Sequence, residues 1–253
     1  MPLRERYDHG VFCWNELVTA NPQDAAPFYG DVLGWTFVEG RGGDGLTCVY
    51  KDAPVAALRR PRAEEPAGWT PMIHVDDVDA IVGLAEGLGA RMEGPVADRG
   101  QEGRHGVMVD PGGARVGLWQ AGGFAGAGLF REPSAPFWNE MVTRDYERVK
   151  DFYHKLFGWE YENVSEPVRL SRCRLHGADF ANILDMTSVP AMPPGLSPKW
   201  GTYFAVESCE ATRQRVTKAG GMVMLDGEID TGKWLFIKDT VEGAFTVMEL
   251  KDP

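Results

Sequence analysis

No apolar run in the 253-residue chain is long enough to cross a bilayer, so a helical membrane span is not expected. Basic charge is scarce. Lys and Arg number 26 against 37 Asp and Glu, a formal charge of −11, and nothing offers the basic face that a nucleic-acid backbone requires. The densest basic patch, Arg59-Arg60-Pro61-Arg62, is followed by Glu64 and Glu65 and reads as a solvated loop. The four cysteines, Cys13, Cys48, Cys173 and Cys209, form no CxxC pair, which argues against a zinc knuckle or a disulfide framework. The opening MPLRERYDHG is charged and lacks a signal-peptide core, so a reducing cytoplasm is the expected location. Neither a dinucleotide-binding glycine motif, a P-loop nor a nucleophile elbow occurs, and nucleotide chemistry is not expected.

What the chain does have is a repeat. FCWNELVTANPQDAAPFYGDVLGW begins at Phe12, and FWNEMVTRDYERVKDFYHKLFGW begins at Phe137. At a constant offset of 124 residues, Trp14, Asn15, Glu16, Val18 and Thr19 meet Trp138, Asn139, Glu140, Val142 and Thr143. Phe28, Tyr29, Gly34 and Trp35 likewise meet Phe152, Tyr153, Gly158 and Trp159. Later segments match with small shifts: WTPMIHVDDVDA from Trp69 with WGTYFAVESCEA from Trp200, and VMVDPGGARVGLWQ from Val107 with LFIKDTVEGAFTVMEL from Leu235. So long a period is not a solenoid unit but a duplicated domain. The expected division is 1–122 and 136–253, with the Gly-, Ala- and Pro-rich stretch 123–135 as linker.

Each copy is itself double. Residues 12–20 alternate like a strand, Asn21-Pro22 opens a helix, Ala25, Ala26, Phe28, Tyr29, Val32 and Leu33 form its apolar stripe, and Gly34 ends it. Short strands near 35–39, 46–51 and 54–59 follow. The pattern then restarts with a strand at 70–76, a helix opened by Asp76-Asp77, and strands near 91–95, 105–110 and 114–120. The reading is an α+β fold of four βαβββ units in two modules, helices outside and a curved sheet holding a pocket.

LVTANPQDAAPFYGDVLGW, the strand ending VDDVDA and the turn VDPGGA together resemble the vicinal oxygen chelate superfamily. That group includes glyoxalase I, the bleomycin- and fosfomycin-resistance proteins and the extradiol dioxygenases. The resemblance spans about residues 10–120 and 135–250, and the tandem WNE[LM]VT form is similar to a bacterial two-module subgroup labelled glyoxalase-like or hydroxylase-like. It implies two tandem glyoxalase/bleomycin-resistance-type modules, but the fold alone does not fix the chemistry. In metal-using members, His, Glu or Gln ligands sit on the first, fourth, fifth and eighth strands. Those places fall here on Trp14, Ala57-Leu58, Thr70 and Gly117, and on Trp138, Asn182-Ile183, Gly201 and Thr246. None is a strong ligand, and a one-residue slip would turn the side chains to the other face. No metal and no cofactor are expected.

Strand alternation places Trp14, Glu16 and Val18, with Thr70, Met72 and His74, in the first cavity. The second receives Trp138, Glu140 and Val142, with Gly201, Tyr203 and Ala205. Glu16 and His74 are the candidate catalytic acid/base pair. Trp14, Thr70, Met72, Trp138, Glu140 and Tyr203 are candidate ligand contacts, the tryptophans as walls for a planar molecule. A purely structural role for the glutamates stays open, because both copies keep one. His9, His105, His154 and His176 are expected at the surface, and Trp35 and Trp159 in packing under the helices. The expected partner is a small, partly apolar or aromatic metabolite or antibiotic, with pseudo-symmetric pairing of the modules and room for a homodimer. Catalysis without metal, metal-dependent lyase, dioxygenase or hydroxylase chemistry with unusual ligands, and pure sequestration all remain open.

Overall fold

The computed structural model describes residues 3–40, 43–62, 65–190, 192–193 and 195–251, so Glu64 lies outside the described residues. The first module runs β1 Phe12–Val18, α1 Pro22–Leu33, β2 Thr36–Glu39, β3 Gly45–Tyr50, β4 Ala53–Arg59, β5 Gly68–His74, α2 Val78–Gly87, β6 Arg91–Met92, β7 Ala97–Asp98, β8 Gly103–Val109 and β9 Arg115–Ala121. The second runs β10 Pro136–Thr143, α3 Tyr146–Phe157, β11 Glu160–Ser165, β12 Leu170–Leu175, β13 Ala178–Asp185, β14 Lys199–Val206, α4 Cys209–Lys218, β15 Met222–Ile229, β16 Gly232–Lys238 and β17 Ala244–Leu250. Each module is one sheet, ordered β2-β3-β4-β1-β5-β9-β8-β6 with β7 on β8, and β11-β12-β13-β10-β14-β17-β16-β15. The two βαβββ units of a module meet where β1 lies antiparallel to β5, and β10 to β14. This is the expected α+β architecture.

Local chemistry sets the helix ends. Gly34 and Gly158 adopt left-handed conformations, φ 69° and 74°, and stop α1 and α3. Asp77 caps α2 by accepting from the backbone N–H groups of Asp79 and Ala80. Asn21 precedes α1 as expected, yet its side chain donates to Asp24 at 2.6 Å instead of capping the backbone.

The helix-bearing face of each sheet packs against the other module. One core joins Ile73, Val78 and Ile81 to Val149, Phe152 and Trp159; the other joins Phe28, Val32 and Trp35 to Phe204, Val216 and Phe245. The repeated residues supply the ties. Trp35 stacks on Tyr29 and Trp159 on Tyr153, with ring centroids 5.5 and 4.5 Å apart. The Tyr29 hydroxyl donates across the join to Asp239 at 2.6 Å and accepts from the Trp69 indole at 3.0 Å. Tyr153 does the same with Asp110 and Trp200, both at 3.0 Å. Asp110 and Asp239 also hold their own turns, each accepting two backbone N–H groups. Much of the repeated sequence thus builds the seam between modules.

Residues 123–135 are not a loose tether. Phe124, Ala127 and Leu129 are buried, the Ala127 N–H donates to the Cys13 carbonyl at 2.9 Å, and the Tyr7 hydroxyl donates to the Ala127 carbonyl at 2.7 Å. Gly126 has φ +132°, and a Cβ there would stand 2.3 Å from the Cys13 carbonyl oxygen, so only glycine fits. Among the described residues no helix is long and apolar enough to cross a membrane.

Candidate functional site

Each sheet also has a face turned away from the inter-module cores, carrying Trp14 and Met72 in the first module and Trp138 and Tyr203 in the second. In the first module Trp14 and Met72 pack together on that face with Trp119, while Leu17 turns to the inter-module core. Glu16 is aligned with Thr70 on β5 and Ala57 on β4. A cleft of about 480 Å³, its open mouth included, is lined by Trp14, Glu16, Ala57, Arg59, Arg99 and Trp119 among others. Its depth is reduced by Phe124, which meets Trp14 edge-on at 4.9 Å and accepts the Trp119 indole N–H on its carbonyl at 2.8 Å.

The Glu16 carboxylate is not free. It accepts a close hydrogen bond from Arg59 Nε. Arg59, only 2% exposed, also grips Glu65 with both terminal nitrogens at 2.6 Å. Arg115 donates to Glu65, Thr70 and Glu93. Burial would raise the Glu65 carboxyl, but hydrogen bonds and charge from Arg59 and Arg115 outweigh it and hold it below the ordinary range. Arg59 is the start of the basic patch expected to be solvated; it is instead buried because it ends β4 on the cavity side of the sheet.

His74 projects from the expected face but stands far from Glu16. Glu16 is opposite Thr70, four residues back along β5, and at about 3.4 Å per residue the separation along the strand is about 14 Å. No acid/base pair forms between them. His74 lies beside the N-terminal turn, where burial lowers its pKa against the opposing charge of Asp76. His105, expected at the surface, is 5% exposed, because β8 runs inside the sheet between β9 and β6. Its Nε2 sits 2.5 Å from an Arg62 terminal nitrogen, which makes it an acceptor there, and burial lowers its pKa.

The second face is chemically different. Glu140 is half-buried; it accepts from the Tyr203 hydroxyl at 3.0 Å and the Asn182 amide at 3.3 Å. Burial raises its pKa, and those two neutral donors only partly offset the rise. The register explains the missing cation: Arg59 neighbours Val18 on β1, whereas its counterpart beside Val142 is Leu184. Trp138, Tyr203 and Trp234 pack on Phe137, Ala205 and Met248 to form an aromatic floor. Lys199 lies over the Phe236 ring at 5.0 Å, with burial lowering its pKa.

The superfamily's metal does not fit this donor set. In the first module Glu16 and Glu65 are both held by Arg59, and in the second Glu140 stands with Tyr203 and Asn182, whereas the ion needs at least three protein ligands. Among the described residues no group of three or more His, Cys, Asp or Glu side chains could hold a metal ion.

Alternation read on β1, β5, β10 and β14 pointed to Glu16, Thr70, Met72, Glu140 and Tyr203; carried on to β4, β9 and β13 it also points to Arg59, Arg115 and Asn182. Glu65 had no such signal, since it reaches in from the β4–β5 connection.

Residues 13–118 match the family model described as a glyoxalase-like domain. The chain is 31% identical to the putative glyoxylase CFP32 of Mycobacterium tuberculosis, over 98% of both chains. It is 27% identical to the anthracycline biosynthesis protein DnrV of Streptomyces peucetius, over 98% of this chain and 96% of that protein. The Mn(II)-bound glyoxalase from Novosphingobium aromaticivorans shares the fold, with a TM-score of 0.68 at 16% identity, covering 96% of this chain and 83% of that one.

Proposed function

The chain belongs to the glyoxalase-like family of the vicinal oxygen chelate superfamily, and from that premise we propose that it binds a small, partly apolar or aromatic molecule on the second module's concave face, where Glu140 exchanges a proton with it. One observation carries this reading: Glu140 is half-buried, its carboxyl is held by Tyr203 and Asn182 and paired with no cation among the described residues, and its pKa is raised. A carboxylate whose pKa is raised is a stronger base when ionised, the change that suits a group for proton transfer. Tyr203 and Asn182 fix its orientation, and Trp138, Trp234 and Phe236 offer flat apolar surface for a ring. Glu16 is a weaker candidate for the same work, because Arg59 would have to release it first. The relative named for anthracycline biosynthesis is consistent with a polycyclic aromatic ligand. The four free, buried thiols are consistent with a reducing cytoplasm.

The test is a titration of the whole protein with 1,4-dihydroxyanthraquinone, followed by quenching of tryptophan fluorescence. Trp138→Ala and Trp234→Ala should each weaken binding by about tenfold, or about 1.4 kcal/mol. Trp14→Ala should leave it unchanged. Binding that survives both second-module variants but is lost with Trp14→Ala would transfer the ligand to the first module. No binding of this probe or of smaller hydroxyquinones would remove the aromatic-ligand reading.

A further inference from the structure

We infer that the first module contains a carboxylate-binding subsite, built from Arg59, Arg115 and Thr70, which the protein's own Glu65 fills. The subsite is separate from the second-module face and does not depend on how that face is used. Arg59 presents both terminal nitrogens to the two Glu65 oxygens at 2.6 Å each, the parallel fork by which a guanidinium recognises a carboxylate. Arg115 donates to Glu65 Oε1 with one terminal nitrogen and to the Thr70 hydroxyl with the other, which fixes the second guanidinium. The Glu65 side chain is 8% exposed and that of Arg59 3%, so this is an interior site and not a surface ion pair.

Three features separate it from a structural tie. First, the guanidinium charges are balanced without Glu65: Arg59 pairs with Glu16, and Arg115 with Glu93. Removing Glu65 leaves two neutral pairs, with three arginine N–H groups and the Arg62 backbone N–H, which donates to Glu65 Oε2 at 3.1 Å, converging on an empty place, a shape that suits an incoming carboxylate. Second, the carboxylate comes from a connection between strands, whereas both arginines are on strands; the rigid part is the receptor. Third, the second module folds in the same way without it. The equivalents of Arg59, Thr70 and Arg115 by register are Leu184, Gly201 and Ala244. The nearby titratable and charged groups are His105, a neutral acceptor toward Arg62 that feels Glu16, Arg99 and Arg59, and Arg62 and Arg99, which share Asp44. Arg59 also lines the cleft beside Trp14 and Ala57, so a monocarboxylate with a short apolar body could place its head on the fork and its body in the cleft.

Benzoate is the probe, benzamide its uncharged counterpart, and sodium chloride the ionic-strength control, each titrated against the whole chain by calorimetry and thermal shift. Glu65→Ala should bind benzoate at least about tenfold more tightly than the parent, a gain of about 1.4 kcal/mol. Benzamide should show no such gain, and Arg59→Leu in the Glu65→Ala background should abolish it. Glu65→Gln, which keeps the side-chain shape, should show a smaller gain and serves if Glu65→Ala does not fold. Equal benzoate affinity in the parent and both Glu65 variants would overturn the subsite. So would a gain shared by benzamide, or one that survives Arg59→Leu. Glu140→Gln should not alter the benzoate response, so failure here leaves the second-module proposal standing, and the reverse.

Discussion

The Asn139 side-chain amide donates to the Asn15 side-chain oxygen at 3.3 Å, joining the same position of the two repeats across the seam. The Thr202 hydroxyl donates to the same Asn15 oxygen at 2.9 Å, and the Asn139 amide also reaches the Gly201 carbonyl at 3.3 Å. Both asparagines are buried, at 2% and 4% exposure. Trp-Asn-Glu is therefore a divided motif: its outer members face a cavity and its middle member faces the other module. Asn15→Ala should destabilise the protein by about 1–3 kcal/mol, because it leaves buried donors unpaired. In denaturant melts of Asn15→Ala, Asn139→Ala and the double variant, the double should cost less than the sum. Additive costs would mean that the pair does not act as a unit.

Separating the modules should fail. Both large cores draw on both halves of the chain, so a fragment of residues 1–122 would expose the apolar faces around Ile73 and Val32. Expressed alone it should aggregate or self-associate, which size-exclusion chromatography would report. A monomeric fragment that melts cooperatively at the temperature of the whole protein would contradict the shared cores.

Acidity should act on the seam through Asp110, whose pKa burial pushes up to about 6 even against its hydrogen bonds from Ala114, Tyr153 and Gly112. The sign follows from the raised value: the folded state holds the proton more tightly than the unfolded chain. This group's contribution to stability is full below its ordinary pKa near 4 and is lost as pH rises through about 6. At about 1.4 kcal/mol per pH unit the change amounts to about 3 kcal/mol. Asp110→Asn should flatten the dependence of unfolding free energy on pH between about 4 and 6. Identical slopes for parent and variant would show that another group carries the titration.

Much of the architecture was legible because it rests on periodicity. Strand alternation, the glycines that end α1 and α3 and the repeat itself are local signals that tertiary contacts did not override. The site was less legible. Glu16 and Glu140 read as equivalents, yet Arg59 pairs with one while Leu184 stands at the corresponding place near the other. That difference arises on β4 and β13, which are remote in sequence from the repeated motif. Nor does the chain advertise Glu65, since a loop side chain entering a cavity leaves no period. The distance of His74 from Glu16 depends on the β1–β5 register, which one strand alone does not reveal.

Metal removal should be without effect. Because no group of three or more His, Cys, Asp or Glu side chains able to hold a metal ion occurs among the described residues, chelation by EDTA should leave the melting temperature unchanged, there being no metal-binding free energy to lose. Stoichiometric Zn, Ni, Mn or Fe by elemental analysis, with stability lost on chelation, would show that the donors rearrange around an ion.

The two glutamates should answer differently to the same substitution. Glu16→Gln deprives a buried arginine of one of its two carboxylates, and since Glu65 remains, the expected cost is about 1–3 kcal/mol. Glu140→Gln removes a carboxyl that has no cationic partner among the described residues and whose ionised form is disfavoured by burial. Its stability should change by less than about 1 kcal/mol near neutral pH, and the sign should favour the variant as pH rises. Proton exchange with a bound ligand, followed by loss of deuterium from an exchangeable carbon, should have the opposite order. Glu140→Gln should abolish exchange with binding retained, as expected for a group that acts in proton transfer. Glu16→Gln and His74→Ala should leave the exchange rate near the parent's, since the β1–β5 register keeps them apart and Glu16 is committed to Arg59. If His74→Ala or Glu16→Gln stopped exchange while Glu140→Gln did not, the reacting face would be the first module's. The arginine pairing there would then have to open during turnover.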